Sequence, residues 1–120
     1  MIRAAGALAL AALLVTAAAA ASQPPARIQV TADEFRLTLS RSSIASGPAV
    51  LELLNLGEDD HDLALRRMVK GARTLRLRVV TPGALGQLEA RLFPGRYRLW
   101  CTVADHRARG MQATLVVRTR

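Results

Sequence analysis

The sequence predicts an all-β fold, a Greek-key β-sandwich of about seven to eight strands. Three observations carry that expectation. Short stretches alternate apolar and polar residues with a period of two, as half-buried strands do because successive side chains leave opposite faces. Turn signals punctuate them at short intervals: Ser46-Gly47-Pro48, Asn55-Leu56-Gly57, Thr81-Pro82-Gly83 and Pro94-Gly95. No stretch beyond residue 21 holds a helical apolar period for long.

Taken in order, residues 27–31 (RIQVT) and 35–39 (FRLTL) alternate cleanly. Residues 49–56 form a longer apolar run with no assignable inward face. Residues 61–66 (HDLALR) place His61, Leu63 and Leu65 on one face, and residues 75–79 (LRLRV) point Leu75, Leu77 and Val79 one way and two Arg the other. Residues 88–92 (LEARL) read as a strand or a helical turn. Phe93-Pro94-Gly95 then turns the chain into 96–101 (RYRLWC), with Tyr97, Leu99 and Cys101 on one face. Residues 111–118 (MQATLVVR) close the domain, with Met111, Ala113, Leu115 and Val117 in phase. The stretch 66–74 (RRMVKGART) is undecided, and Met68 within it is read as structural.

The N-terminus has a different character. Arg3 precedes an uncharged Ala- and Leu-rich run over 4–21 that ends in Ala19-Ala20-Ala21. A basic start, an apolar run and small residues at the end form a secretory signal, with cleavage expected after Ala21. The run is also about long enough to span a bilayer, which needs ~20 residues, so a retained anchor is the competing reading. Residues 22–26 (SQPPA) serve as a short linker, leaving 27–120 as one domain. The expected location is periplasmic or extracellular.

The chain of 120 residues carries 17 Lys+Arg against 9 Asp+Glu. The charge is polarised: residues 22–62 hold 3 cations and 7 anions, and residues 63–120 hold 13 cations and 2 anions. Export and the absence of clustered stacking aromatics argue against nucleic acid as the counterpart of that basic half. An acidic protein partner or an anionic membrane surface suits it better; the expected counterpart is a redox protein with an acidic docking surface, with membrane contact only through such a partner or an uncleaved signal, and a monomer is expected.

A secreted domain with one Cys forms no internal disulfide, so the thiol is buried and inert, paired between chains, or bound to a metal. Cys101 is followed by His106 and then Met111, the spacing C-x4-H-x4-M. The strand phases above turn His61, Cys101 and Met111 inward at strand ends, with His106 in the loop between the last two strands. Two imidazoles, a thiolate and a weak thioether form the ligand set of a blue-copper electron-transfer site. Zinc also accepts Cys and two His, so ligand types alone leave the metal open. A Cys–His nucleophile is the enzymatic alternative, but no orienting third group accompanies the pair; the chain is read as a non-enzyme.

With its ASGPAVLELLNLGEDDHDL and FPGRYRLWCTVADHRARGM segments, the sequence resembles the cupredoxins, the plastocyanin- and azurin-like small blue copper proteins. The resemblance spans the domain. It implies a single type 1 copper with His61, Cys101 and His106 as equatorial ligands and Met111 as the axial one. It also implies carriage of single electrons between redox partners; storage or delivery of Cu(I) by the same ligands is the alternative. Three positions depart from the family pattern: Asp62 replaces the usual Asn, Asp105 stands in the Cys–His loop, and Asp60 replaces the Gly of azurins. Asp105 is expected to influence His106, and Trp100, beside Cys101, is expected to face outward as a possible second electron route.

Overall fold

The computed structural model describes residues 1–7, 9–16 and 23–120. The expected signal sequence, residues 1–21, lies partly outside that set, and its expected cleavage site at Ala19–Ala21 wholly so. Residues 1–7 and 9–16 are exposed and form neither helix nor strand. Among the described residues, no helix is long and apolar enough to cross a membrane.

Among the described residues, nine strands form two facing sheets. One holds β1 (Ala26–Asp33), β2 (Arg36–Leu39), β4 (Gly47–Asn55) and β7 (Leu85–Leu92) in the order β2-β1-β4-β7. The other holds β3 (Ser43–Ala45), β5 (His61–Arg67), β6 (Thr74–Val80), β8 (Gly95–Trp100) and β9 (Gln112–Arg118) in the order β3-β9-β8-β5-β6. The all-β sandwich expected from the sequence is therefore the fold. Most pairs are antiparallel; β1–β4 and β3–β9 are parallel. The chain crosses between sheets at β2–β3, β3–β4, β4–β5, β6–β7 and β7–β8, so the two faces are knitted together.

Alternation decides what fills the core. Ile28, Val30 and Ala32 of β1, Leu51 and Leu53 of β4, Leu63 and Leu65 of β5, Tyr97 and Leu99 of β8, and Leu115 and Val117 of β9 meet between the sheets. Leu51, Leu53, Leu65, Leu99 and Leu115 are wholly buried. Removing such a side chain to Ala costs about 2–5 kcal/mol, so these positions dominate stability.

Three details differ from the expectation. The segment 88–92 is part of a full strand, β7, paired with β4 along its whole length from Leu85 to Leu92. The undecided stretch is a loop, Met68–Arg73, between β5 and β6. On β6 the phase slips: His61 pairs with Val80 and Leu63 with Leu77, so one residue of β5 faces two of β6. This bulge turns Val80 inward and leaves Val79 54% exposed, whereas a regular strand would bury Val79 with Leu77.

The strands share two poles. One gathers the ends of β1, β4, β6 and β8 with the starts of β2, β5, β7 and β9; the other gathers the opposite ends.

Candidate metal centre

At the first pole three donor side chains converge. His61 opens β5, Cys101 follows β8 directly, and His106 lies in the loop leading to β9. Their donor atoms all lie within 4.8 Å of one another, and all three residues are buried. Cys101 Sγ is 3.9 Å from His61 Nδ1 and 3.7 Å from His106 Nδ1. Met111 precedes β9, is fully buried, and belongs to the same core cluster as Cys101. Its backbone ties it to the other two: Cys101 N donates to Met111 O at 3.1 Å, and Met111 N donates to His106 O at 3.1 Å.

The far nitrogen of each ring is held by a carboxylate. His61 Nε2 is 3.0 Å from Glu34 Oε1, and His106 Nε2 is 3.3 Å from Asp59 Oδ2. A carboxylate only accepts, so a proton on His61 Nε2 satisfies Glu34 and leaves the Nδ1 lone pair toward the sulfur, while Asp59 lies beside His106 Nε2 as an ion-pair contact. An acceptor on the far side of a ring is what orients a histidine that ligates a metal, and Glu34 stands in that position for His61. Burial pushes the Cys101 thiol above its ordinary pKa, with the nearby Asp62 charge adding to the rise. Without a cation the sulfur is thus a neutral thiol at neutral pH. A metal ion stabilises the thiolate directly, and the soft sulfur and borderline nitrogens fit such an ion.

The frame around the donors is built from residues that sequence reasoning did not single out. Asn55, at the end of β4, is buried and donates from Nδ2 to Asp59 O and Val80 O, both at 2.8 Å. Its Oδ1 accepts from Gly57 N at 2.8 Å, so one side chain pins the turn that delivers His61. The Asn55-Leu56-Gly57 turn signal pointed to this bend without revealing its hub. Glu34, at the tip between β1 and β2, accepts from Asp59 N at 2.8 Å and Glu58 N at 3.0 Å as well as from His61. Those bonds, led by the Asp59 amide, hold its carboxyl below the usual range. Phe35 beside it packs on His106 with ring centroids 5.1 Å apart, and the Arg109 guanidinium lies 4.8 Å over the Phe35 ring.

The three departures from the family pattern also find their places. Asp62 accepts from Thr102 N at 2.6 Å and from the Thr102 hydroxyl, bracing the backbone just past Cys101. Asp105 is engaged by Arg109 at 2.8 Å, which lowers its carboxyl pKa, and the carboxylate facing the His106 ring is instead that of Asp59. Asp60 is exposed. Trp100 is half-buried on the outer face, with the Arg107 guanidinium 4.6 Å over its ring. His106 is only 5% exposed, so its ring edge is covered rather than open to solvent.

No family model matches the sequence, and no curated protein matches it. Solved structures do. Auracyanin A from Chloroflexus aurantiacus, titled a "blue" copper protein, aligns with TM-score 0.64 at 15% identity, over 78% of this chain and 99% of its own. Dithionite-reduced auracyanin from Roseiflexus castenholzii aligns at 0.62 and 15%, over 76% and 95%. Amicyanin from Paracoccus versutus aligns at 0.54 and 14%, over 79% and 84%. At such low identity the likeness is one of fold: residues 26–118 of this chain adopt the cupredoxin fold.

Proposed function

We propose that this protein is an exported carrier of single electrons that holds one copper ion at His61, Cys101, His106 and Met111. One observation carries the reading: two imidazole Nδ1 atoms converge on a buried sulfur while carboxylates hold both Nε2 atoms. Bound copper would supply the Cu(I)/Cu(II) couple. The chain's own part is to keep the donors fixed. His61 is braced by Glu34 and the Asn55 turn, and the Cys101–Met111 backbone bond closes the loop that carries His106. A frame held by so many bonds yields little when the charge at its centre changes by one, and small rearrangement favours fast transfer. Residues 1–21 act as the export signal, which places the carrier in the periplasm or outside the cell.

The redox partner presents an acidic surface to the outer face of the five-stranded sheet. There Arg66, Arg98 and Arg107 surround Trp100 in a groove of about 340 Å³. Covalent linkage of Trp100 to Cys101 gives this face a direct path to the sulfur. Docking through these cations makes the transfer rate fall as salt rises, since the Debye length shrinks from roughly 30 Å at 0.01 M to about 8 Å at 0.15 M. Rates insensitive to salt would reject docking here.

The test of the central reading is the visible and paramagnetic resonance spectrum of residues 22–120 with one equivalent of Cu(II). An intense blue thiolate-to-copper band, bleached by ascorbate and restored by oxidation, is expected. A colourless protein that binds Cu(I) would move the function to copper storage or delivery. No copper binding in either state would refute the ligand assignment.

A further inference from the structure

The carboxylates along the sequence sort by pole. Asp33, Glu34, Glu58, Asp59, Asp60, Asp62 and Asp105 all lie at the pole with the metal centre, and Glu52 and Glu89 lie midway along β4 and β7. The opposite pole has no acidic residue. There the Met68–Arg73 loop meets the Phe93-Pro94 turn, and Arg67 joins them by donating from Nε to Pro94 O at 2.9 Å. Its guanidinium also lies 6.0 Å from the Phe93 ring.

Between the two loops is a cleft of about 450 Å³, with Val69, Leu75, Phe93 and Tyr97 in its walls and Arg67, Lys70, Arg73 and Arg91 at its edges. Apolar side chains project from the loop tips: Met68 is 52% exposed, Val69 47% and Phe93 55%. Among the described residues no carboxylate pairs with Arg67, Lys70, Arg73, Arg91 or Arg96. Three apolar side chains protruding together leave apolar surface in water, and the hydrated cations around them are free to meet anionic groups. They suit the boundary of an anionic bilayer, where apolar tips enter the acyl region and cations meet lipid headgroups. The N-terminal segment joins β1 at Ala26, at this same pole.

We propose that this pole is a docking surface for a membrane rich in anionic lipid, which holds the domain with its metal centre facing away from the bilayer. An acidic protein could satisfy the cations, and Met68 and Val69 also border the Trp100 groove, but such a partner gives no reason for Phe93, outside that groove, to stand out beside them. The proposal goes beyond the copper reading and does not depend on it.

Among the described residues, all nine strands and the hydrophobic core lie within residues 26–118, so residues 22–120 hold what the fold needs and can be tested free of the apolar N-terminal run. Metal-free 22–120 is sedimented with phosphatidylcholine vesicles, with and without phosphatidylglycerol. Binding is expected only with phosphatidylglycerol, weakening as salt rises. Lys70→Glu and Arg73→Glu should each weaken it at least fivefold, given roughly 1 kcal/mol per cation near an anionic surface. Phe93→Ser should weaken it without changing the net charge, and Arg36→Glu, at the other pole, should have far less effect than Lys70→Glu. No binding to phosphatidylglycerol vesicles at low salt would overturn the proposal. Equal losses from Arg36→Glu and Lys70→Glu would also overturn it, by showing attraction to overall charge alone. Wild-type binding by Phe93→Ser would remove the apolar contact on which the choice of a membrane rests.

Discussion

Glu34 is the position at which a single substitution separates positioning from ligation. Its carboxylate accepts from three N–H groups: His61 Nε2 at 3.0 Å, Asp59 N at 2.8 Å and Glu58 N at 3.0 Å. Glu34→Ala leaves all three without that acceptor and frees the His61 ring to carry its proton on Nδ1, the nitrogen facing Cys101. Loss of an outer partner of a metal-ligating His lowers metal affinity by about 10–100-fold, and that is the range expected for Cu(I). Glu34→Gln keeps one acceptor oxygen and should fall between wild type and Ala. Gly57→Ala reaches the same carboxylate by another route, because a methyl there would lie 2.8 Å from the Glu34 carboxyl carbon and push it aside. Competition with a chromophoric Cu(I) chelator gives the affinities, and nitrogen chemical shifts of the metal-free protein give the His61 tautomer. Wild-type affinity together with an unchanged tautomer in Glu34→Ala would refute the reasoning. The pH dependence has a definite sign. The Glu34 carboxyl is lowered on folding from an ordinary value near 4.5, so its support is full above that value and is lost as pH falls through the folded one.

Four other outcomes are expected. Asp62→Asn removes a negative charge beside the centre while keeping an acceptor for Thr102, so the copper reduction potential should rise; an equal or lower potential in electrochemistry would count against a charge effect. Cys101 is fully buried with a raised pKa, so in the metal-free fold a thiol reagent should label it far more slowly at neutral pH than in urea. By linkage, stability carried by that thiol holds below its unfolded pKa near 9 and declines above it; urea melts across alkaline pH would reveal the decline. Gly110 holds φ +118° with the Phe35 carbonyl 3.3 Å from where a Cβ would stand, so Gly110→Ala should cost about 1–3 kcal/mol in urea denaturation.

Much of the centre could be read from strand phase alone. Alternation through Tyr97, Leu99 and Cys101, and through His61, Leu63 and Leu65, turned two donors inward before any fold was known, and both prove buried. What alternation cannot carry is contact between distant segments. Glu34 stands 27 positions before His61, and only the folding of the β1–β2 tip over the β4–β5 turn brings them together. The sequence pointed to Asp105 as the carboxylate acting on His106, but Asp59 faces that ring, because Arg109, four residues on, engages Asp105. The short strand β3 has a single buried apolar residue, Ile44, and exists because β9 offers a parallel edge. Val79 was misplaced because a bulge is an extra residue in a register, not a property of the residues themselves.

The cover on His106 governs how quickly the centre exchanges its contents, apart from how tightly it holds them. Phe35 lies against that ring, Arg109 lies on Phe35, and Asp105 anchors Arg109. A small competitor meets no exposed donor on this side, so entry there requires this cover to open. Raising its concentration then quickens exchange only until every opening is captured. Beyond that point the rate is the opening rate, set by the chain and indifferent to the competitor.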